Sequence, residues 1–360
     1  MEKTGFVTIV LAAGKGTRMK SRLPKVLHKA AGKPMVQHVL DAAKVAGARR
    51  QIVVTGFGGA MVREAIGSQA ECVVQEEQLG TGHAVLQAKE LLAGEKGTLM
   101  VLCGDTPLLT PAALEKLAHE HEQQHAKATI LTAIFDDATG YGRIIRDADG
   151  SVMKIVEQKD ASEEEKKVLE ANAGIYCFDI EALFAALAKV TNDNAQGEYY
   201  LPDVIAILKN AGEKIWATAA DDAEDTLGIN SRLQLAGAEK ILRRRKCEEL
   251  MADGVTIMDP ATTYVDVDVK VGRDTVLYPM TWLEAGTEIG EGCEIGPSVR
   301  FQNVKCGDHV TGQFTYAHDC VLDAGVILGQ FTHIRPDTHL AEDVKIGNFV
   351  EVKNSNIGKG

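Results

Sequence analysis

Basic charge is scarce in this chain: 39 lysines and arginines stand against 51 aspartates and glutamates, a formal net charge of −12 at pH 7 over 360 residues. That balance excludes broad electrostatic attraction to nucleic acid or anionic lipid, so a phosphate ligand has to be held by a few local cations. Long hydrophobic runs are missing as well. None approaches the ~18 residues that a membrane span requires, and the first stretch shows no basic-then-apolar leader pattern, so the expectation is a cytoplasmic protein. There is no C-x-x-C. The seven cysteines (Cys72, Cys103, Cys177, Cys247, Cys293, Cys306 and Cys320) are scattered and odd in number, which argues for reduced thiols rather than a disulfide framework. Cys306, His309, His318 and Cys320 form a loose cluster, but at a spacing that fits no usual zinc ligand pattern.

What is present begins at Leu11–Lys25, L-A-A-G-K-G-T-R-M-K-S-R-L-P-K, directly after the β-branched run Phe6–Val10. The run reads as a buried strand. Gly14 and Gly16 are expected to turn the backbone sharply and bring bare N–H groups against an anion, with Arg18 and Lys25 adding positive charge. The rival, a dinucleotide-binding turn, needs a third glycine and an acid about 20 residues on. Here the third position is Met19, and Ala31–Gln37 holds no carboxylate.

Two periods divide the chain. To about residue 228, apolar strands (Ile52–Val54, Cys72–Val74, Leu99–Leu102) alternate with helical stretches (Pro34–Val45, Pro111–His121), the pattern of a mostly parallel sheet covered by helices. Arg143–Gln158, around the turn Asp147-Ala-Asp-Gly150, reads as a hairpin flap. Residues 229–253 read as a linker helix, and its basic run Arg243–Lys246 as a solvated face. From residue 254 onward a repeat of six takes over. Val265, Val271, Leu277, Leu283, Ile289, Ile295 and Phe301 stand six apart; after a three-residue slip the series is expected to resume at Val304, Val310, Tyr316 and Leu322, and to run on to Val352. Small or β-branched residues precede most of them by two. A large side chain every sixth residue beside a compact one fills a triangular coil, a hexapeptide β-helix.

Cys103-Gly-Asp105 closes the strand Leu99–Leu102 and places a carboxylate at the carboxyl end of a central strand, where open α/β sheets bind ligands. Such an acid can be an oxygen ligand for Mg²⁺, and equally a helix cap.

In that order and company, Leu11–Lys25, Gln75–Ala84, Thr139–Arg143, Val156–Lys159 and Asn194–Tyr200 resemble the motifs of sugar-phosphate nucleotidyltransferases. Joined to a hexapeptide β-helix, they resemble the bifunctional N-acetylglucosamine-1-phosphate uridyltransferase/glucosamine-1-phosphate acetyltransferase family nearly end to end. The resemblance implies a Rossmann-like domain over residues 1–228, the linker helix over 229–253 and a left-handed parallel β-helix over 254–360. It implies transfer of uridylate from UTP to N-acetylglucosamine 1-phosphate, for cell-wall precursor synthesis. Asp105 and Asn230 would then hold Mg²⁺, and Arg18 and Lys25 would act on the phosphates. Leu11, Ala12 and Gly14 would pass the uridine, Gln75, Gly80 and Thr81 would read the uracil, and Gly140, Glu157, Asn172 and Asn230 would hold the sugar. Cys103 and Ala173 depart from the residues frequent in relatives, tyrosine and threonine.

On the β-helix, Arg335 and Lys353 match cations that bind the sugar phosphate of acetyl transfer. The family's acetyl-transfer histidine and coenzyme A groove lie beyond Gly360, so the expectations are a partial acetyltransferase site, no acetyl transfer from acetyl-CoA, and a truncated piece of a longer protein. A homotrimer along the β-helices is also implied. The alternatives left open are a nucleotidyltransferase of other base or sugar specificity, and a β-helix assembly scaffold.

Overall fold

A computed structural model describes residues 5–359. By contact the chain divides into two units, residues 5–28 with 34–235, and residues 29–33 with 236–359. The division falls at 235, inside a helix, and the short segment 29–33 goes with the second unit.

In the first unit, β1 (Phe6–Ala12) is followed by two 3₁₀ turns; the small ribbon of β2 (Lys29–Ala30) and β3 (Lys33–Pro34) that comes next in the chain lies, but for Pro34, in the segment that goes with the second unit. Then come α1 (Met35–Val45), β4 (Ala48–Thr55), α2 (Gly59–Ile66), β5 (Glu71–Val74), α3 (Thr81–Leu86), β6 (Thr98–Cys103) and α4 (Pro111–Gln123). The second half holds β7 (Ala128–Ile134), β8 (Arg143–Arg146), β9 (Val152–Val156), β10 (Glu170–Asp179), α5 (Ile180–Leu187), α6 (Asp203–Asn210) and β11 (Ile215–Ala219). The strands order as β11-β7-β10-β6-β1-β4-β5. β5, β4, β1 and β6 run parallel, β10 runs antiparallel between β6 and β7, and β11 is parallel to β7. Val7, Ile9 and Val101 pack into one apolar layer while Val10, Met100 and Leu102 pack into another. Both faces of the central strands are therefore covered, which is why they read as unbroken hydrophobic runs. β8 and β9 pair antiparallel around the Asp147–Gly150 turn, as the spacing anticipates, and join the sheet through Ala171–Arg143.

The helix α7 (Arg232–Ala252) leads into the second unit. Its basic run is not wholly solvated, a correction to the sequence reading. Lys246 is 7% exposed and bonds Glu249 at 2.7 Å, and the Arg243 guanidinium lies 3.8 Å above the Tyr264 ring. Charged heads at the end of long apolar stems can line an interior face in this way. Cys247 and Leu250 enter the apolar core of the coil, so the first turn does not meet water alone.

Short parallel strands then stack turn upon turn. Val265, Leu277, Leu283, Ile295 and Phe301 are at most 1% exposed, inside the coil. Two residues ahead of them Thr263, Thr275, Thr281, Cys293 and Val299 are buried as well. The structure corrects the position of the slip. Phe301 stacks under Ala317, Cys306 under Leu322, and Ile295 under Gly312. The inward series is therefore Phe301, Cys306, Gly312, Ala317, Leu322: three sides each lose one residue, instead of one side losing three. Val304 and Val310 are buried as members of the compact series, and Tyr316 turns outward to stack on His318 and His333, each at 5.0 Å. The apolar volume is kept across the irregular turns because Phe301 fills space over Gly312, 3.8 Å from where a Cβ would stand there. Corners leave less room. A Cβ on Gly290 would come 2.6 Å from the Gly307 carbonyl of the next turn, so only glycine lets these turns stack.

Asp266 lies in this unit, with Oδ2 accepting from the Ala285 N–H at 2.8 Å. Burial, then Glu239 and Glu284, push its carboxyl up to about 6 despite that hydrogen bond. The folded state thus holds the proton more tightly than the unfolded chain, and the carboxylate costs stability progressively as pH rises through about 6. Asp266→Asn keeps an acceptor for Ala285 and cannot ionise. Its melting temperature is expected to exceed the parent's at pH 8 and to converge with it near pH 4; a variant melting lower at both values would show the carboxylate to be stabilising.

Candidate functional site

The cleft opens at the carboxyl ends of β1 and β6, neighbours in the sheet. One recess is lined by Leu11, Ala12, Gly14, Lys25, Gln75, Gly80, Thr81 and Asp105; an adjoining one is lined by Glu157, Asn172, Tyr176, Gln196 and Tyr200. Leu11, Thr81, Cys103 and Glu198 wall both. A roomier groove, lined by Arg146, Lys209 and Trp216 among others, holds none of the motif residues.

Gly16 stands at φ +58°, and a Cβ there would meet the Lys25 Cβ at 2.6 Å. The glycine lets the chain double back until Lys25 faces the strand ends. Gly14 does not need its glycine conformationally, contrary to the sequence reading. Nothing lies within 4 Å of its missing Cβ, so what it contributes is open space in the cleft wall.

The Lys25 ammonium donates to Asp105 Oδ2 and, at 2.9 Å, to Asn230 Oδ1. Asp105 follows β6; Asn230 is brought to it by the Ile229 N–H donating to the Asp105 carbonyl at 2.9 Å, and is held by its own N–H on Gln234 Oε1 at 2.8 Å. Two hard oxygens, one carboxylate and one amide, thus converge on a single positive charge. That donor set fits Mg²⁺, which takes few protein oxygens and completes its shell with phosphate and water. No group of three or more His, Cys, Asp or Glu converges among the described residues, so a closed all-protein metal cage is absent from them.

Arg18 is not brought to this cluster. It lies exposed on the 3₁₀ turn Thr17–Met19, outside the residues lining either recess, and makes no hydrogen bond or ion pair among the described residues. Gly140 also stays at the rim, exposed at φ +90°, with its N–H on Gln158 Oε1 at 3.1 Å.

The wall of the first recess is built by two motifs locking together. At Gly80, φ +108°, a Cβ would strike the Tyr199 carbonyl at 2.6 Å. Tyr199 donates to the Leu79 carbonyl at 2.8 Å and accepts from the Gly82 N–H at 2.8 Å, and the Leu201 N–H donates to Thr81 Oγ1 at 3.0 Å. The Asn194–Tyr200 motif is therefore a buttress for Gln75–Ala84. Thr81 Oγ1 accepts from that buttress and keeps its O–H to donate, a role the sequence did not disclose.

In the second recess, Asn172 Nδ2 donates to the Tyr176 hydroxyl at 2.6 Å, and its Oδ1 accepts from the Gly174 N–H at 3.0 Å, so the amide is fixed in one orientation. Burial, then Asp160 and Asp203, raise the Glu157 carboxyl above its ordinary range. Burial, then Asp105, push the Cys103 thiol up to about 12, which makes it an inert wall rather than a nucleophile. Sequence reasoning missed Gln196, Glu198 and Tyr200 as lining groups although it quoted their motif. It also missed Tyr141, whose hydroxyl is hydrogen-bonded to the Gly228 backbone near Asp105.

Arg335 and Lys353 belong to the second unit. They follow Ile334 and Val352, which stack in register, so the two cations project from successive turns, and Arg335 bonds Glu351 at 2.6 Å.

Residues 7–283 match the nucleotidyl transferase family. The chain is 52% identical over 352 residues to the bifunctional protein GlmU of Geobacillus sp. (strain WCH70), covering 98% of this chain and 77% of that one. To the GlmU of Listeria monocytogenes serotype 4a it is 48% identical over 352 residues, with the same coverage of each. A UDP-glucose pyrophosphorylase, solved in complex with UDP-glucose, superposes with a TM-score of 0.54 at 18% identity, covering 67% of this chain and all of that one, a likeness of fold. The chain belongs to the GlmU branch of the nucleotidyl transferase family.

Proposed function

We propose that the paired recesses of the first unit are the uridyl-transfer site, UTP in the one walled by Gln75 and Gly80 and the sugar phosphate in the one walled by Glu157 and Asn172. The chain is a uridyltransferase that joins UTP to N-acetylglucosamine 1-phosphate in cell-wall precursor synthesis. The observation that carries the assignment is the convergence of Lys25, Asp105 and Asn230 at the strand ends.

The reaction needs no covalent enzyme intermediate. A phosphate oxygen of the sugar attacks the α-phosphorus of UTP, the bond to the β-phosphate oxygen breaks, and pyrophosphate leaves with its electron pair. The burden on the protein is to align two anions and offset their charge. Lys25 supplies a fixed cation at the strand ends. Asp105 and Asn230 would hold Mg²⁺, which supplies additional positive charge beside the phosphates. Gly14 leaves the backbone bare where phosphate must pass. Glu157 and Asn172 give the sugar recess an acidic and an amide partner for hydroxyl and acetamido groups, and Arg18 would act from the exposed loop. A cytoplasmic setting agrees with the absence, among the described residues, of any helix long and apolar enough to cross a membrane.

On the second unit Phe314, Phe331 and Phe349 form an outward column, stacked at 5.6 and 5.1 Å and up to 78% exposed. Such a patch favours burial against a neighbour, and we read it as the contact between copies in a homotrimer. Sedimentation of Phe331→Lys is expected to give a smaller species than the parent with uridyl transfer retained; an unchanged trimer would place the contact elsewhere.

Lys25→Ala separates two roles. Pyrophosphate release from UTP and N-acetylglucosamine 1-phosphate should fall about 10²–10³-fold. Mn²⁺, a spectroscopic stand-in for Mg²⁺, should nevertheless bind more tightly by electron paramagnetic resonance titration, because Asp105 and Asn230 are no longer engaged by the ammonium. Asp105→Ala should lose both activity and Mn²⁺ affinity; unaltered UDP-sugar synthesis in that variant would overturn the site.

A further inference from the structure

β10 carries two extra residues against its neighbour β7: Asn172 pairs with Thr132 and Ile175 with Leu131, so Ala173 and Gly174, the latter at φ +73°, bulge out between adjacent rungs. The bulge decides which side chains meet. Asn172 and Tyr176 are four apart in sequence, which is about 13 Å along a regular strand, yet they stand only two rungs apart, opposite Thr132 and Ile130, on one face of the sheet. Asn172 Oδ1 accepts from the Gly174 N–H at 3.0 Å, which fixes Nδ2 as the group facing the Tyr176 hydroxyl 2.6 Å away. An amide nitrogen only donates, so the hydroxyl oxygen is the acceptor and the phenolic proton is directed elsewhere. Among the described residues Tyr176 makes no other side-chain hydrogen bond, although it is 2% exposed. Both residues line the second recess.

A buried phenol that accepts from one side and keeps its proton needs an acceptor on the other, because a buried donor left unpaired is destabilising. Burial raises the phenol well above its ordinary range, against the Asn172 bond and together with Glu157, so the hydroxyl stays protonated at neutral pH. Asn172 has a second Nδ2 proton as well. Two donors therefore stand side by side in one wall, and they fit an oxygen that only accepts. Glu157, in the same recess, offers the opposite chemistry when ionised. The hydroxyls of N-acetylglucosamine 1-phosphate can donate to such a carboxylate, whereas its acetamido carbonyl has lone pairs and no proton. Resting on the assignment of this recess to the sugar phosphate, we propose that Tyr176 is a specificity-determining residue: it donates to the acetamido carbonyl beside Asn172 and so makes the site select an N-acylated amino sugar over the free amine. Glucosamine 1-phosphate has an ammonium at that position, which sets donors against donors and leaves the phenol unpaired.

The test compares kcat/KM for N-acetylglucosamine 1-phosphate and glucosamine 1-phosphate, with UTP and Mg²⁺, in the full chain for the parent, Tyr176→Phe and Asn172→Ala. Tyr176→Phe removes the donor and keeps the ring that stacks on Phe178 at 5.5 Å. The preference for the acetylated sugar should fall about tenfold, through a raised KM for that substrate, with glucosamine 1-phosphate turnover unchanged. Damage to packing alone would slow both sugars alike, so an unchanged ratio overturns the proposal. Asn172→Ala should raise KM for N-acetylglucosamine 1-phosphate; if it does while Tyr176→Phe keeps the parent's ratio, the sugar assignment stands and the role of Tyr176 falls. If neither variant alters the sugar kinetics, both fall. A crystal of the unaltered chain with UDP-N-acetylglucosamine gives a second reading that does not depend on the folding of a variant. The acetamido oxygen within hydrogen-bond distance of the Tyr176 hydroxyl supports the proposal, that oxygen elsewhere in the recess overturns it, and a sugar outside the recess overturns the assignment with it.

Discussion

One positive charge shared by two oxygens organises the catalytic unit. Lys25 comes from a loop after the first strand, Asp105 from the end of β6 and Asn230 from the segment before α7, and the three meet although 205 residues separate the first from the last. A chain of net charge −12 repels its own anionic substrates at long range. It can bind them only where cations are concentrated and neighbouring carboxylates are engaged. Asp105 unpaired at the cleft floor would work against phosphate; held by an ammonium, it keeps the site preorganised without net repulsion.

The walls follow from that floor. The Gln75–Ala84 segment is short of internal support, since α3 spans only Thr81–Leu86, and its geometry is imposed by the Tyr199 backbone from outside. Glycine at position 80 is the condition of that contact. The same 194–200 segment sends Gln196 and Tyr200 to the second recess, where Gln196 bonds the Tyr200 hydroxyl at 2.5 Å, and Lys159 reaches Gln196 at 2.9 Å. The two recesses are therefore coupled through one stretch of backbone and cannot be shaped independently.

Much of this was legible in the sequence because it rests on local or periodic signals. The alternation of strand and helix and the Asp147–Gly150 hairpin are local. The hexad is periodic, and buried Leu277 and Leu283 show it at its cleanest. What escaped was whatever depends on long-range pairing. The true side lengths between Phe301 and Leu322 cannot be read from spacing, because Val304 and Val310 are apolar at either register, and only the pairing of Val304 with Cys320 and of Gly312 with Ile295 decides. Arg18 and Lys25 look alike as loop cations, yet only Lys25 is turned inward, by the close approach of Gly16 to its stem. Tyr141 and Glu198 were within quoted motifs but carried no chemical signal until the fold placed them at the cleft.

The site divides its physics by substrate moiety. On the proposed assignment, phosphates meet full charges, which act without regard to the exact angle and fall off slowly with distance. On the same assignment the base meets an amide and the sugar an amide beside the Glu157 carboxyl, and each amide's orientation is fixed from behind: Asn172 by Tyr176 and Gly174, Gln75 by Gly80. That division has a reason. Charge cannot tell one nucleotide from another, since all carry the same triphosphate, whereas an amide that cannot rotate penalises any ligand presenting the wrong atom by leaving buried polar groups unpaired. Affinity and selectivity therefore sit on different residues, and the residues behind the amides matter as much to selectivity as the amides themselves.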